Sequence, residues 1–237
     1  WITILNDDDI LSSKWLNYAN EFIGSSISSS KSLYAPSIEM FGPKKPESNS
    51  SDLNKLIKKI RFFGSNVIKV TLFDILHRTI LGGALNIVFN KDCASKIRFY
   101  DKRDYPSADY LFIAEYIQKF GGYRDIRIGG YYNWDHNDSL KKNRKVKFLL
   151  QSYKIRQKII YEECKKNWLF YKYLSLGNYI HLYLSYFNYR YEDPSLRIKS
   201  LEQRFFQKKI GISIIPNKIL RIILRIIYLP SNLKQMK

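Results

Sequence analysis

Trp1-Ile2-Thr3-Ile4-Leu5, followed at once by Asn6-Asp7-Asp8-Asp9 and then Ile10-Leu11, is the stretch on which the reading of this chain turns. A short apolar, β-prone run predicts a buried strand, and the acids then fall at its carboxyl end. Three adjacent carboxylates repel one another, so a fold that gathers them must offset the cost with a cation or with several hydrogen-bond donors. Hard divalent cations take oxygen ligands, which makes Asp7, Asp8 and Asp9 candidate ligands for Mg2+ or Mn2+. The competing reading is a helix N-terminus, with Asp8 or Asp9 as cap ahead of Ile10-Leu11. Spacing leaves the two readings level.

Working outward, Ile10 to Ile23 carries apolar residues at helical spacing. Breakers at Gly24 to Ser32 and Phe41 to Ser51 bracket a short strand at Ser32 to Ala35. Helices are expected over Asp52 to Arg61 and, on weaker periodicity, over Val67 to Arg78. Ala84 to Phe89 reads as a strand entering a turn at Asn90-Lys91-Asp92. Asp109 to Phe120 reads as a helix closed by Gly121-Gly122, and Ile126 to Trp134 as a strand ending in the polar knot Asp135-His136-Asn137-Asp138-Ser139. Beyond Ser139 the pattern is helical: Lys141 to Lys166, then Trp168 to Tyr191 with Gly177-Asn178 as an interruption, then an amphipathic segment from Asn217 to Leu229.

Composition divides the chain at the same place. Residues 1–140 hold 18 Lys/Arg against 16 Asp/Glu, while residues 141–237 hold 22 against 5, so the net charge of +19 belongs almost wholly to the second part. Two domains are expected, 1–140 and 141–237. Cys93 and Cys164 have neither disulfide-framework nor zinc-site spacing, which fits a reducing, cytosolic setting. The opening lacks Met and any leader pattern and reads as the interior of a longer protein. Neither long helical segment reads as a bilayer span, since Lys172, Gly177, Asn178 and His181 break the second.

Four segments, in order, resemble the inverting family-two glycosyltransferases. Ile4 to Leu11 is similar to their acidic D-x-D region. Gly82-Gly83-Ala84-Leu85-Asn86-Ile87-Val88-Phe89 resembles the strand after their acceptor loop. Pro106-Ser107-Ala108-Asp109-Tyr110-Leu111 resembles their catalytic-base segment, and Gly129 to Trp134 with Asn137-Asp138-Ser139 the strand that closes their catalytic domain. The resemblance covers residues 1–140. It implies an α/β fold of GT-A type, a Rossmann-like mixed sheet with helices, followed by a helical, basic and aromatic extension.

It implies further that Asp7, Asp8 and Asp9 bind Mg2+ or Mn2+ and the diphosphate of a nucleotide-sugar donor, that His136 reaches metal or diphosphate, and that Asp109 is the general base. Sugar passes with inversion to a saccharide or lipid-linked acceptor, in surface polysaccharide biosynthesis, on the cytoplasmic side and peripherally at the inner face of the membrane. Asn6 stands where many relatives carry the first acid. The family's nucleoside-binding units precede this strand, so the chain by itself is expected to be inactive. Bland roles stand beside these: a helix cap for Asp109, a surface position for His136, turn formers in Asn137 and Ser139, packed sites for His77 and His181, and a solvated Glu115.

The alternative is a basic, non-catalytic protein for nucleic acid or another anionic polymer, with Lys/Arg interleaved among Tyr and Phe after residue 140. It accounts for the charge but not for acids at a strand end, so nucleic acid is the less favoured partner. Lys218, Arg221 and Arg225 beside Ile and Leu add an expected contact with anionic membrane.

Overall fold

The computed structural model describes residues 1–5, 9–25, 30–43, 65–70, 86–97, 107–133, 142–164, 168–199 and 201–202. The chain forms two compact units, Trp1–Asp138 and Ser139–Lys237. The first is mixed α/β. In chain order it contains β1 (Ile2–Thr3), β2 (Ile10–Leu11), α1 (Trp15–Gly24), β3 (Leu33–Phe41), β4 (Val67–Val70), β5 (Val88–Phe89), α2 (Lys91–Ala94), α3 (Ala108–Phe120) and β6 (Gly122–Asn133).

The sheet has six strands in the order β1-β5-β3-β6-β2, with β4 also on β6. Only β3 and β6 are parallel; β1 to β5, β5 to β3, and β4 and β2 to β6 are antiparallel. The long strand β6 therefore carries β3 on one edge and, on the other, β4 along Gly122–Asp125 and β2 at Gly130–Tyr131. Between those two partners the edge stays bonded, because Ile126 N–H donates to Asn66 O and Ser12 N–H donates to Gly129 O.

Side-chain alternation explains why helices cover both faces. Tyr34 and Val88 are cross-strand partners on one face, and α1 lays Ala19 and Phe22 against them, with Phe22 stacked on Tyr34 at 4.5 Å between ring centroids. Their neighbour Phe89 points the other way. It meets Phe112 and Tyr116 of α3 at 5.2 and 6.0 Å. The Tyr116 hydroxyl then donates to Lys31 O and accepts from Asn90 N–H, tying α3 to the chain entering β3 and to the end of β5. Helix α3 stops at Gly121, whose φ of 79° with ψ of 176° is a conformation glycine adopts far more readily than other residues, and β6 begins at the next residue.

Several expectations from the sequence need correction. The opening run is not a buried strand: it forms only the two-residue β1, and Trp1, Ile2 and Leu5 are exposed, because β1 pairs with β5 alone at the end of the sheet order. Ile10-Leu11 is a strand, and α1 starts only at Trp15, because backbone pairing with β6 outbids a weak apolar period. Val67–Val70 is a strand on β6, not the start of a helix. Asn90 caps the short helix α2 through its side chain, accepting from Cys93 N–H, where a turn was expected. The strand at Leu33 runs on to Phe41, past Pro36, where the register with β6 shifts. The helix expected over 52–61 lies outside the described residues.

The second unit is helical. α4 (Lys142–Cys164) and α5 (Trp168–Glu192) are followed by a 3-10 turn at Pro194–Leu196. The two helices are antiparallel, since Tyr161 meets Tyr171, Gln157 donates to Ser175, and Asn178 donates to Tyr153 O and Gln157. Gly177-Asn178 does not interrupt α5. Val146, Leu149, Tyr179, Leu182, Tyr186 and Leu201 form the core. Buried Glu202 ties the returning segment down, pairing with Arg190 at 2.8 Å and Arg197 at 3.0 Å and accepting from the Tyr186 hydroxyl at 3.2 Å. Among the described residues no helix is long and apolar enough to cross a membrane.

Two glycines test the packing. A Cβ on Gly129 would sit 2.4 Å from Pro36 Cβ and 3.1 Å from the Trp15 ring, whereas one on Gly24, at the end of α1, would meet nothing within 4 Å. Gly129→Ala should therefore destabilise the first unit by roughly 1–3 kcal/mol through overpacking, and Gly24→Ala should leave it unchanged or stabilise it by up to about 1 kcal/mol. Urea denaturation of both variants checks the pair.

Candidate acidic site at the end of the sheet

Strand β2 exists because Ile10 and Leu11 complete the outer edge of β6, and this pairing delivers the residue before it, Asp9, to the end of that strand. Asp9 is buried, and its Oδ1 accepts from Asn133 N–H at 2.9 Å. The acid run and the segment leaving β6 thus share one hydrogen bond. Asp7 and Asp8 precede Asp9 directly in sequence, and His136 follows Asn133 by three residues; all three lie outside the described residues, so of these candidates the structure places Asp9 alone. The helix-cap reading of Asp9 falls, because the first helix after it begins at Trp15 and has Lys14 at its cap position.

The packing beside Ile10 is close: a Cβ on Gly130 would lie 3.2 Å from Ile10 O and 3.3 Å from Asn86 Nδ2, so a larger residue there would require these neighbours to give by a few tenths of an ångström. Asn86 is fully buried and takes a left-handed φ of 57°, a conformation that Asn tolerates better than most residues. Its amide donates to Ser37 O at 3.4 Å, and its own carbonyl accepts from Trp15 Nε1 at 3.0 Å. One residue at the entrance to β5 thereby joins β3 and α1. Carboxylate oxygens are the ligand type that hard divalent cations take; among the described residues no group of three His, Cys, Asp or Glu is gathered to hold one.

Asp109 lies in a different element, in the first turn of α3. Ser107, not Asp109, occupies the cap position, which corrects the capping role; the Asp109 carboxylate instead accepts from Tyr110 N–H at 2.7 Å. Desolvation holds its pKa above the ordinary 3.8, outweighing the backbone N–H groups that favour the ionised form. Helix α3 ends beside the starts of β3 and β6, where Ser32 Oγ donates to Phe120 O and Leu33 N–H to Gly121 O. Its first turn is therefore about 17 Å along the helix axis from those strand starts. Glu115 is partly buried further along the same helix, and His181 is partly buried in α5; His77, Asn137 and Ser139 lie outside the described residues.

The sequence reading passed over a second charged cluster. Asp125 is fully buried in β6, at the irregularity where the β3 register shifts between Ala35 and Ser37. Its carboxylate accepts from the Tyr34 hydroxyl at 2.7 Å, from Arg127 N–H at 2.8 Å, and from the Arg127 guanidinium at 2.7 and 2.9 Å. The guanidinium also pairs with Glu21 of α1 and lies over the Tyr18 ring at 4.1 Å. Burial and the neighbouring carboxylate push the Tyr34 hydroxyl pKa far up, and the Asp125 hydrogen bonds raise that of Arg127. The signal was present in the sequence: Asp125 and Arg127 stand two apart, the spacing that shares a face in a strand, in a β-prone stretch between Gly121-Gly122 and Gly129-Gly130.

Two outcomes follow. Arg127→Met strands a buried carboxylate and should cost about 3–5 kcal/mol, measured by denaturant titration. Because folded Asp109 holds its proton more tightly than the unfolded chain does, its ionisation opposes folding as pH rises from near 3.8 through its raised pKa. Asp109→Asn should accordingly be more stable than the parent at pH 7, with the advantage fading below about pH 4; a variant without that gain would show the carboxylate to be well matched by its surroundings. Searches against protein-family models, curated proteins and solved structures return no match to this chain.

Proposed function

We propose that this chain carries the acidic and acceptor-side part of an inverting, metal-dependent glycosyltransferase of GT-A type. One observation carries the reading: the hydrogen bond from Asn133 N–H to Asp9 Oδ1, which joins the acid run to the end of β6. The four segments that resemble the family lie far apart in sequence, yet they meet around one sheet. β2 of the acid segment pairs with β6, β5 with β3, β3 with β6, and α3, bearing Asp109, leads directly into β6.

In the proposed reaction Asp7, Asp8 and Asp9, with His136 as a further candidate ligand, would hold the cation. Bound there, Mg2+ or Mn2+ supplies Lewis-acid stabilisation of the departing nucleoside diphosphate. Asp109 accepts the proton of the acceptor hydroxyl as its oxygen bonds to the anomeric carbon and the bond to the diphosphate breaks on the opposite face, inverting that centre. A carboxylate whose pKa is lifted by burial is a stronger base than an exposed one, which suits the role. The acceptor is a saccharide, free or lipid-linked, and surface polysaccharide synthesis at the cytoplasmic face of a membrane is the setting.

Titrating Mn2+ or Mg2+ should raise the melting temperature, because a ligand bound only by the folded state stabilises it. Asp8→Asn with Asp9→Asn should abolish that shift while leaving the fold intact, since the side-chain amide oxygen introduced by the second substitution can still accept from Asn133 N–H. A full shift in the double variant would exclude these acids as the ligands. In a preparation active in sugar transfer, Asp109→Asn should lower turnover about a hundredfold with donor affinity nearly unchanged; near-normal turnover would remove Asp109 from the chemistry.

A further inference from the structure

We infer that the turn end of the α4–α5 hairpin, with the lysine stripe leading to it, is a docking surface for anionic membrane lipid. The inference concerns the helical unit alone and does not rest on the sugar-transfer reading. Lys147, Lys154, Lys158 and Tyr161 of α4 face solvent, with Glu162 beside them. Intervals of seven, four and three residues keep the lysines and the tyrosine within a narrow stripe of a 3.6-residue helix, and the lysines span about 16 Å along it. The Lys158 side chain is 60% exposed, and its contact with Glu162, one turn on, is a loose one at 3.9 Å that contributes little.

The stripe ends in aromatic rings. Tyr161 and Trp168 are 58% and 66% exposed, and Tyr161 packs edge-on against Tyr171, three residues after Trp168 on α5. Leu176, two turns further along α5, is 49% exposed. These three large groups lie outside the unit's core of Tyr, Leu and Val. Trp and Tyr beside lysines suit the headgroup layer, where the rings take an apolar body to the acyl boundary and keep a polar edge wet. The surrounding half of the chain, 22 basic against 5 acidic residues, complements an anionic surface. Exposed Leu176 favours lipid over nucleic acid, since a base stack gains nothing from an aliphatic side chain whereas a bilayer does.

The test is co-sedimentation of the 237-residue chain with vesicles of phosphatidylcholine alone and of phosphatidylcholine with 30% phosphatidylglycerol, a fraction chosen as roughly that of an anionic leaflet. Binding should require phosphatidylglycerol and weaken as salt rises. The triple variant Lys147→Glu/Lys154→Glu/Lys158→Glu should bind at least tenfold more weakly, as should Tyr161→Ser/Trp168→Ser. All five side chains are exposed, so circular dichroism should show both variants folded; a variant that does not fold is replaced by Lys→Gln or by Trp168→Ser alone. Lys218→Glu/Arg221→Glu/Arg225→Glu is the comparison. If that variant alone loses binding while the α4 variant keeps it, the inference is overturned. It is equally overturned if the parent ignores anionic vesicles but binds a single-stranded RNA oligonucleotide in a manner lost with the α4 lysines.

Discussion

Everything in the first unit hangs on β6 having partners along both edges, and that arrangement depends on burying Asp125. A strand with β3 parallel on one side and β4, then β2, antiparallel on the other must accommodate a register shift, and it does so at the residues around Asp125. The shift leaves a carboxylate inside the protein, a costly placement that is tolerable only when every oxygen is met. Tyr34, the Arg127 backbone and the Arg127 guanidinium meet them. Arg127 then passes the constraint outward to Glu21 and Tyr18, which sets α1 on the face of the sheet. The acidic site is the far consequence: α1 holds Trp15 against Asn86, Asn86 lies beside Gly130, and β2 settles there with Asp9 before it.

The site and the bulge solve the problem of charge in different ways. Asp125 is neutralised within the fold by a guanidinium that makes several hydrogen bonds to it. Asp9, by contrast, is one of three consecutive acids and takes a backbone N–H at the strand end. The first arrangement is closed and structural. The second sets a buried carboxylate against the last residue of β6.

The sequence disclosed the elements with strong local signals. Helix α3 was legible to its cap, because a continuous apolar face ends in Gly121-Gly122, and the end of β6 was legible from Ile126 through Asn133. The helical character of the second unit was equally plain. What could not be read was whatever depended on a distant partner. Ile10-Leu11 has a helical neighbourhood and becomes a strand only because β6 offers an edge; Val67–Val70 does the same at the other end of that edge. The capping role for Asp109 failed by two residues, a shift too small for periodicity to resolve. Asp9 stands out in the sequence by its type and place, but its bond to Asn133 crosses 124 positions of sequence, and no local pattern reports such a contact. Asp125 and Arg127 were missed because charges two apart in a strand look solvated until the strand is known to be enclosed on both edges.

The central claim is that the acid run and the end of β6 form one cation site. Paramagnetic broadening by substoichiometric Mn2+ in a backbone amide NMR spectrum tests it directly. The account predicts that the amides of Ile10, Tyr132 and Asn133 broaden first, because the Asp9 carboxylate and Asn133 N–H share a hydrogen bond. Persistence of those three signals while amides near Glu162 or Asp193 vanish would contradict it.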